Sequence, residues 1–242
     1  MTEEITQNND HLTENEKKLK ILAIHGYRQN GEVFKQKTGS FRKIVNKWAH
    51  FIFITAPHQV VTVPSRDKLD ETEINEKSDE YGWFFNREDH TFRGIRKGGP
   101  AIGFDTSIQL VEEAFEKFGP FDGILGFSQG GCFVGLLCDL QQRGLTTCKF
   151  NFAVLVSGFK SGSLPHLKYY NEPIDLPVLN VYGSSDDIIP KEMSEALGEA
   201  FKDPVTLVHP GKHYLPASAA QKQVYQEFFL ERYSEKQIKL DE

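Results

Sequence analysis

The chain has 242 residues, 39% of them hydrophobic and 26% charged, with a formal net charge of -6. That length and balance fit one domain with a large single core. No basic stripe stands out against the acidic excess, which argues against a nucleic-acid partner and against electrostatic attachment to anionic membranes. The three cysteines, Cys132, Cys138 and Cys148, have neither the number nor the spacing of a disulfide framework or a zinc site, and read as buried free thiols in a reducing compartment.

Residues 1–17 are mostly polar and read as a disordered tail ahead of a single domain over 18–242. No leader or membrane anchor is expected in the polar stretch up to Lys20, and no apolar run reaches the roughly 18 residues of a membrane span. The expected location is the cytoplasm, and the nucleus by diffusion.

From Lys18 the pattern alternates between two kinds of segment. Ile21–Ile24, Phe51–Thr55, Gly123–Phe127, Phe152–Ser157, Val178–Tyr182 and Val205–Val208 are short apolar runs, the kind that forms strands buried on both faces. Helical spacing appears between them: at Phe41, Ile44, Val45 and Trp48, then from Ile108 to Phe118 behind an expected Asp105 cap. It returns from Phe133 to Leu140 and from Ala217 to Tyr233. The alternation predicts an α/β fold, a mostly parallel doubly wound sheet with helices on both faces and ligands bound at the strand C-termini. Residues 58–100 break the rhythm as an insert. Its charged part reads as solvated loop. Its aromatic part, Tyr81-Gly82-Trp83-Phe84-Phe85, reads as packed.

The run Gly123–Phe127 leads into Gly126-Phe127-Ser128-Gln129-Gly130, a G-x-S-x-G sequence. The bare motif is weak, but here a buried strand precedes it and an apolar helix follows. This is the setting of a sharp strand-to-helix turn that lifts a serine oxygen above the sheet edge, as in the α/β-hydrolase fold. Ser128 is the expected nucleophile, and a helix N-terminus behind it favours developing negative charge.

Such a hydrolase needs an acid and then a histidine on later strand ends. The first loop offers Asp186 and Asp187. Asp186 is preferred because it lies four before Pro190, and Asp187 would point the other way from an extended segment. The second loop offers His209 and His213. His213 is preferred because it sits deeper in the loop, and His209 reads as a strand-end histidine with local partners. An oxyanion hole would take the backbone N–H of Gln129 and that of Tyr27, in the loop His25-Gly26-Tyr27-Arg28-Gln29-Asn30. His25 itself reads as a structural ring that bridges loops.

Taken together, His25-Gly-Tyr-Arg-Gln-Asn30, Gly126-Phe-Ser-Gln-Gly-Gly131, Gly183-Ser-Ser-Asp186 through Pro190 and His209-Pro-Gly-Lys-His213 resemble the FSH family of serine hydrolases, from about Lys18 to Tyr233. The aromatic segment at Trp83 is also similar. The resemblance implies a Ser128, Asp186, His213 triad and hydrolysis of carboxylic esters, with animal members favouring long straight acyl chains. The family loop commonly carries two glycines before its histidine, and Lys212 departs from that at the second place. The expected substrate is a small-molecule ester, hydrolysed through an acyl-enzyme without metal or organic cofactor.

Two features of the expected pocket are less determined. Trp83, Phe84, Phe85 and Phe127 are expected to line a slot for a medium or long acyl chain, or else the rings at 83–85 pin the insert to the domain. A thioesterase acting on acylated protein or coenzyme A would use the same triad. A non-catalytic binder usually lacks a triad member, and a peptidase of this fold often carries an added domain for which this chain has no length. Neither the natural substrate nor the oligomeric state is written in the sequence.

Overall fold

In the computed structural model, which describes residues 13–60 and 79–241, the apolar runs become strands and the segments between them pack across the sheet. Thr13 caps α1 (Glu14–Lys17), with its hydroxyl accepting from the Glu16 N–H and the Glu16 carboxylate accepting from the Thr13 N–H. The disordered tail expected over 1–17 is corrected at its end: Thr13 to Lys17 is a capped turn, and residues 1–12 lie outside the described residues. Then follow β1 (Leu19–Ile24), α2 (Gly31–Lys37), α3 (Gly39–Val45), β2 (Ala49–Ile54) and two short strands in the insert, β3 (His58–Gln59) and β4 (Tyr81–Gly82). The second half runs α4 (Phe104–Phe118), β5 (Gly123–Phe127), α5 (Gln129–Gln142), β6 (Phe152–Val156), β7 (Val178–Gly183), α6 (Lys191–Gly198), β8 (Val205–His209) and α7 (Ala219–Asp241). Gly103, at φ 81, occupies the N-cap of α4, so Asp105 lies within the first turn and is not the cap. There its carboxylate still faces the positive helix end.

Six strands pair in parallel in the order β2-β1-β5-β6-β7-β8. Side-chain alternation divides the core between the two faces. Along β1, Leu22 and Ile24 join α4 and α5 residues such as Val111, Phe133 and Leu137 on one face. Ile21 and Ala23 join Phe41, Tyr225 and Phe229, from α3 and α7, on the other. Fully burying each such side chain is worth about 1.5–3 kcal/mol, which is why continuous apolar runs make the central strands. Among the described residues β8 has a neighbour on one side only, and its Val205 and Val208 are exposed. The order reverses between β1 and β5, because the chain builds outward to β2 on one side and to β8 on the other. That reversal opens a crevice above the C-terminal ends of β1 and β5.

The aromatic part of the insert is packed beneath this crevice. Trp83 and Phe84 are fully buried, and Phe85 nearly so. Trp83 stacks on Phe133 with ring centroids 5.1 Å apart, and its indole Nε1–H donates to the His25 carbonyl at 2.8 Å. The buried Gln129 side chain holds the same segment at two points. Its Oε1 accepts from the Trp83 N–H at 2.9 Å, and its Nε2 donates to the Phe84 carbonyl at 2.7 Å. His25, also fully buried, bridges loops: Nδ1–H donates to the Gly26 carbonyl at 2.7 Å, and Nε2 accepts from the Ala56 N–H at 2.9 Å. Both ring nitrogens are thereby used in the neutral form, and burial holds the His25 pKa down to about 4.

Two stability outcomes follow from this layer. Trp83→Ala removes a stacked indole and its hydrogen bond from a closed core, and should cost about 3–5 kcal/mol, read as a shifted urea midpoint with an unchanged slope. His25 carries its own pH signature. With the folded pKa at about 4 and the ordinary value at 6.5, the unfolded chain takes up the proton first as pH falls. The stability tied to neutral His25 is therefore complete above pH 6.5 and drains between 6.5 and about 4, by roughly 3 kcal/mol. Burial also lowers His166 to about 4 and adds to the same window. Urea titrations of wild type and His25→Gln across this range should show the shallower slope in the variant.

Candidate active site

Ser128 closes β5 and opens α5 at φ 54 and ψ −115, a conformation that a side-chain-bearing residue adopts only under constraint. The constraint is visible in the two glycines of the motif. A Cβ on Gly126 would meet the backbone of Gly130 and Gly131, and one on Gly130 would meet the carbonyls of Ile24 and His25. Only glycine lets β1, β5 and the first turn of α5 approach this closely. The Ser128 N–H donates to the Val156 carbonyl at 2.8 Å, which ties the turn to β6. Among the described residues, the backbone N–H groups of Tyr27 and Gln129 donate to no protein acceptor. Tyr27 lies on the loop after β1, pinned where the Arg28 N–H donates to the Tyr81 carbonyl.

Asp186 and His213 come together from the loops after β7 and β8. The His213 Nδ1–H donates to Asp186 Oδ2 at 2.7 Å, which leaves Nε2 as the nitrogen able to accept a proton. The Asp186 carboxylate is buried, and its Oδ1 accepts from the N–H groups of Ile188 and Ile189, both at 2.9 Å. Asp187 instead faces solvent and pairs with Lys212 at 2.7 Å. That pair joins the two loops at the surface. The His209 ring is buried against Tyr214, and its Nδ1 accepts locally from the Gly211 N–H. Burial lowers its pKa, partly offset by the Asp186 charge. The structure thus brings Asp186 to His213, and places Asp187 and His209 elsewhere.

Ser128 and His213 share a cleft of about 370 Å³ above the β1/β5 reversal. Its walls are Gly26, Tyr27 and Gln29 on one side, Phe127 at the base, Phe92 to Ile95 from the insert, and Ile188 and Ile189 after Asp186. The expectation that Trp83, Phe84 and Phe85 line the slot is corrected here: of the four expected aromatics only Phe127 does, its ring 4.9 Å from that of His213. The other three are consumed by the packing and hydrogen bonds beneath, and pin the insert. Phe92 reaches the cleft in their place, packed on Tyr27 and Phe84. A larger groove, about 580 Å³, lies at the opposite sheet edge between Lys20, His50, Asp122 and Lys236, but it brings together no hydroxyl nucleophile with a histidine–carboxylate pair.

Three contributors have no signal in periodicity or motif. The Gln129 amide clamp is one. Ile188 and Ile189 form a second, reading in sequence only as the approach to Pro190. The third is the buried Asn86, whose side chain accepts from the Arg93 N–H at 3.0 Å and donates to the Arg93 carbonyl at 2.8 Å, fixing the segment that faces the cleft.

Comparison with known proteins identifies the family of the chain. A family model described as serine hydrolase (FSH1) matches residues 13–225. An esterase of Aedes aegypti is 55% identical over 90% of this chain and 78% of its own length. The esterases named OVCA2 of Danio rerio and Homo sapiens are 42% and 33% identical, over 87% and 90% of this chain and 96% and 97% of theirs. Among solved structures, a Bacillus cereus carboxylesterase superposes with a TM-score of 0.60 at 14% identity, covering 90% of this chain and 91% of its own. Zea mays acyl-protein thioesterase 2 superposes with a TM-score of 0.57 at 17% identity, over 89% and 94%. At such identities these two report the α/β-hydrolase fold alone. The family model and the close relatives go further: the chain belongs to the FSH family and is a serine hydrolase of the esterase group.

Proposed function

We propose that the chain is a carboxylesterase that works through an acyl-enzyme on Ser128, with His213 as general base and Asp186 as its orienting acid. The observation that carries this reading is the 2.7 Å bond from His213 Nδ1–H to the buried Asp186, with His213 and Ser128 facing one cleft. Asp186 fixes the tautomer and stabilises the imidazolium that forms when His213 takes the Ser128 proton. Ser128 Oγ attacks the ester carbonyl, and the oxyanion is received by the N–H groups of Tyr27 and Gln129 at the positive end of α5. His213 returns the proton to the leaving alcohol. Water then attacks the acyl-enzyme by the same route, so that the acid is released and Ser128 regains its proton.

The apolar walls support a medium or long straight acyl chain. Phe92, Ile95, Phe127, Ile188 and Ile189 offer continuous hydrocarbon, and each further buried methylene is worth about 0.8 kcal/mol. Ile95 and Ile188 are more than half exposed, an arrangement that a bound chain would cover. A thioester fits the same chemistry, and the maize neighbour is named for one.

The test is a set of variants assayed on straight-chain oxygen esters and matched thioesters. Ser128→Ala should abolish turnover and fluorophosphonate labelling while the melting temperature stays close to wild type. His213→Ala and Asp186→Asn should each lose roughly 10⁴-fold in kcat, and His209→Ala and Asp187→Asn far less. Retention of most turnover by Ser128→Ala would remove it as nucleophile. The ratio of thioester to ester rates at equal acyl length decides between the two substrate classes.

A further inference from the structure

Several charged side chains on the loops around the cleft are paired, and Arg96 and Lys97, which follow the cleft segment, do not line it. Arg28 pairs with Glu80 at 2.7 Å, Arg87 with Asp89 at 2.8 Å and Lys212 with Asp187 at 2.7 Å. The Asp186 carboxylate is committed to His213 and to two backbone N–H groups. Arg93 is different. It lines the cleft together with Ser128 and His213, and among the described residues its guanidinium has neither a carboxylate nor a hydrogen-bond partner.

Its backbone, by contrast, is held firmly. Asn86, almost fully buried, commits both ends of its amide to the N–H and carbonyl of Arg93. The next residue, Gly94, lies so close to Ile189 and Phe159 that a Cβ there would meet both side chains. The loop is therefore clamped on either side of the arginine while the side chain stays exposed. A guanidinium presents a planar set of donors matched to carboxylate and phosphate oxygens.

From this we infer that Arg93 is a specificity-determining residue, and that the substrate is an amphipathic ester with an anionic group, carboxylate or phosphate, that pairs with Arg93 while Ser128 attacks the carbonyl. The inference rests on the proposed esterase reading and narrows its substrate class. The chemistry is unchanged: the acyl C–O bond breaks, water supplies hydroxide to the acyl carbon and a proton to the alcohol, and the anionic group takes no part in bond making. The apolar wall at Ile95 and Ile188 takes the hydrocarbon, and Arg93 fixes one charged end.

The experiment compares wild type, Arg93→Ala and Arg93→Lys on two matched pairs of substrates. One pair is 4-nitrophenyl octanoate and the mono-4-nitrophenyl ester of the dicarboxylic acid of equal length, with the charge on the acyl side. The other is octanoyl glycerol and octanoyl glycerol phosphate, with the charge on the alcohol side. In one pair the anionic-to-neutral ratio of kcat/KM should fall about fivefold to tenfold in Arg93→Ala, through KM and not kcat. Arg93→Lys should keep part of it, and added salt should lower the ratio in wild type but not in Arg93→Ala. The pair that responds shows which side of the ester carries the charge. A ratio unmoved by Arg93→Ala in both pairs overturns the assignment, and so does an equal loss on charged and neutral members, which marks a structural role. Either result leaves the Ser128 reading standing if neutral esters are still hydrolysed by wild type and not by Ser128→Ala. Failure of wild type on every ester removes that reading and the inference with it.

Discussion

The close approach of the first turn of α5 to the ends of β1 and β5 is the constraint on which the site depends. With no Cβ at 126 or 130, the carbonyls of Ile24 and His25 press directly on the helix. That contact holds Ser128 at φ 54 and sets Gln129 in the core, where its amide reaches the backbone of Trp83 and Phe84. The loop after β1 is drawn in by the same contact, since the His25 carbonyl also accepts from the Trp83 indole. A strained serine is tolerable because so many independent bonds over-determine its position. Changing either glycine would disturb the Ser128 turn, the insert and the loop after β1 together.

Around this point the fold assigns different environments to chemically identical side chains. His25 and His166 are buried without a carboxylate, and desolvation keeps both neutral with pKa near 4. His213 is given a buried carboxylate at 2.7 Å and access to the cleft. Asp186 and Asp187 are adjacent in sequence, yet one is enclosed by backbone N–H donors and the other faces solvent. The same separation applies to the thiols. Cys132, Cys138 and Cys148 are free and buried, and desolvation pushes all three thiols up, Cys148 to about 11, which keeps them protonated.

Much of this was legible in the chain because the physics involved is local. The central strands are continuous apolar runs, since a parallel strand flanked by helices buries both faces, and the turn at Ser128 needs glycines at fixed offsets. The loops that carry Asp186 and His213 follow from chain order. Legibility fails where a residue's role depends on partners far away in sequence. Gly31–Lys37 shows no apolar period that would predict α2, and the start of this helix is fixed by Asn30, whose side chain accepts from the Val33 N–H. The apolar run at Val205–Val208 predicts a strand buried on both faces, and its exposed valines reflect the place of β8 at the sheet edge. The aromatic run at 83–85 signalled burial correctly but could not say against what. The Gln129 side chain and Asn86 give no signal, because a buried amide reads in sequence like any polar residue.

The insert therefore combines two functions that composition alone runs together. Its first part, Tyr81 to Phe85, is an anchor. It pairs with the loop after β1 through Tyr81, stacks through Trp83 and bonds through Gln129. Its second part, Phe92 to Ile95, is displayed by that anchor, through Phe84 against Phe92 and Asn86 against Arg93. A wall built this way is held by the core while only its tip faces the cleft, so substitutions at Arg93 or Ile95 can change the cleft without loosening the Ser128 turn. Anchor substitutions cannot, because the residues that hold the insert are bonded to the same Gln129 and His25 that define the turn.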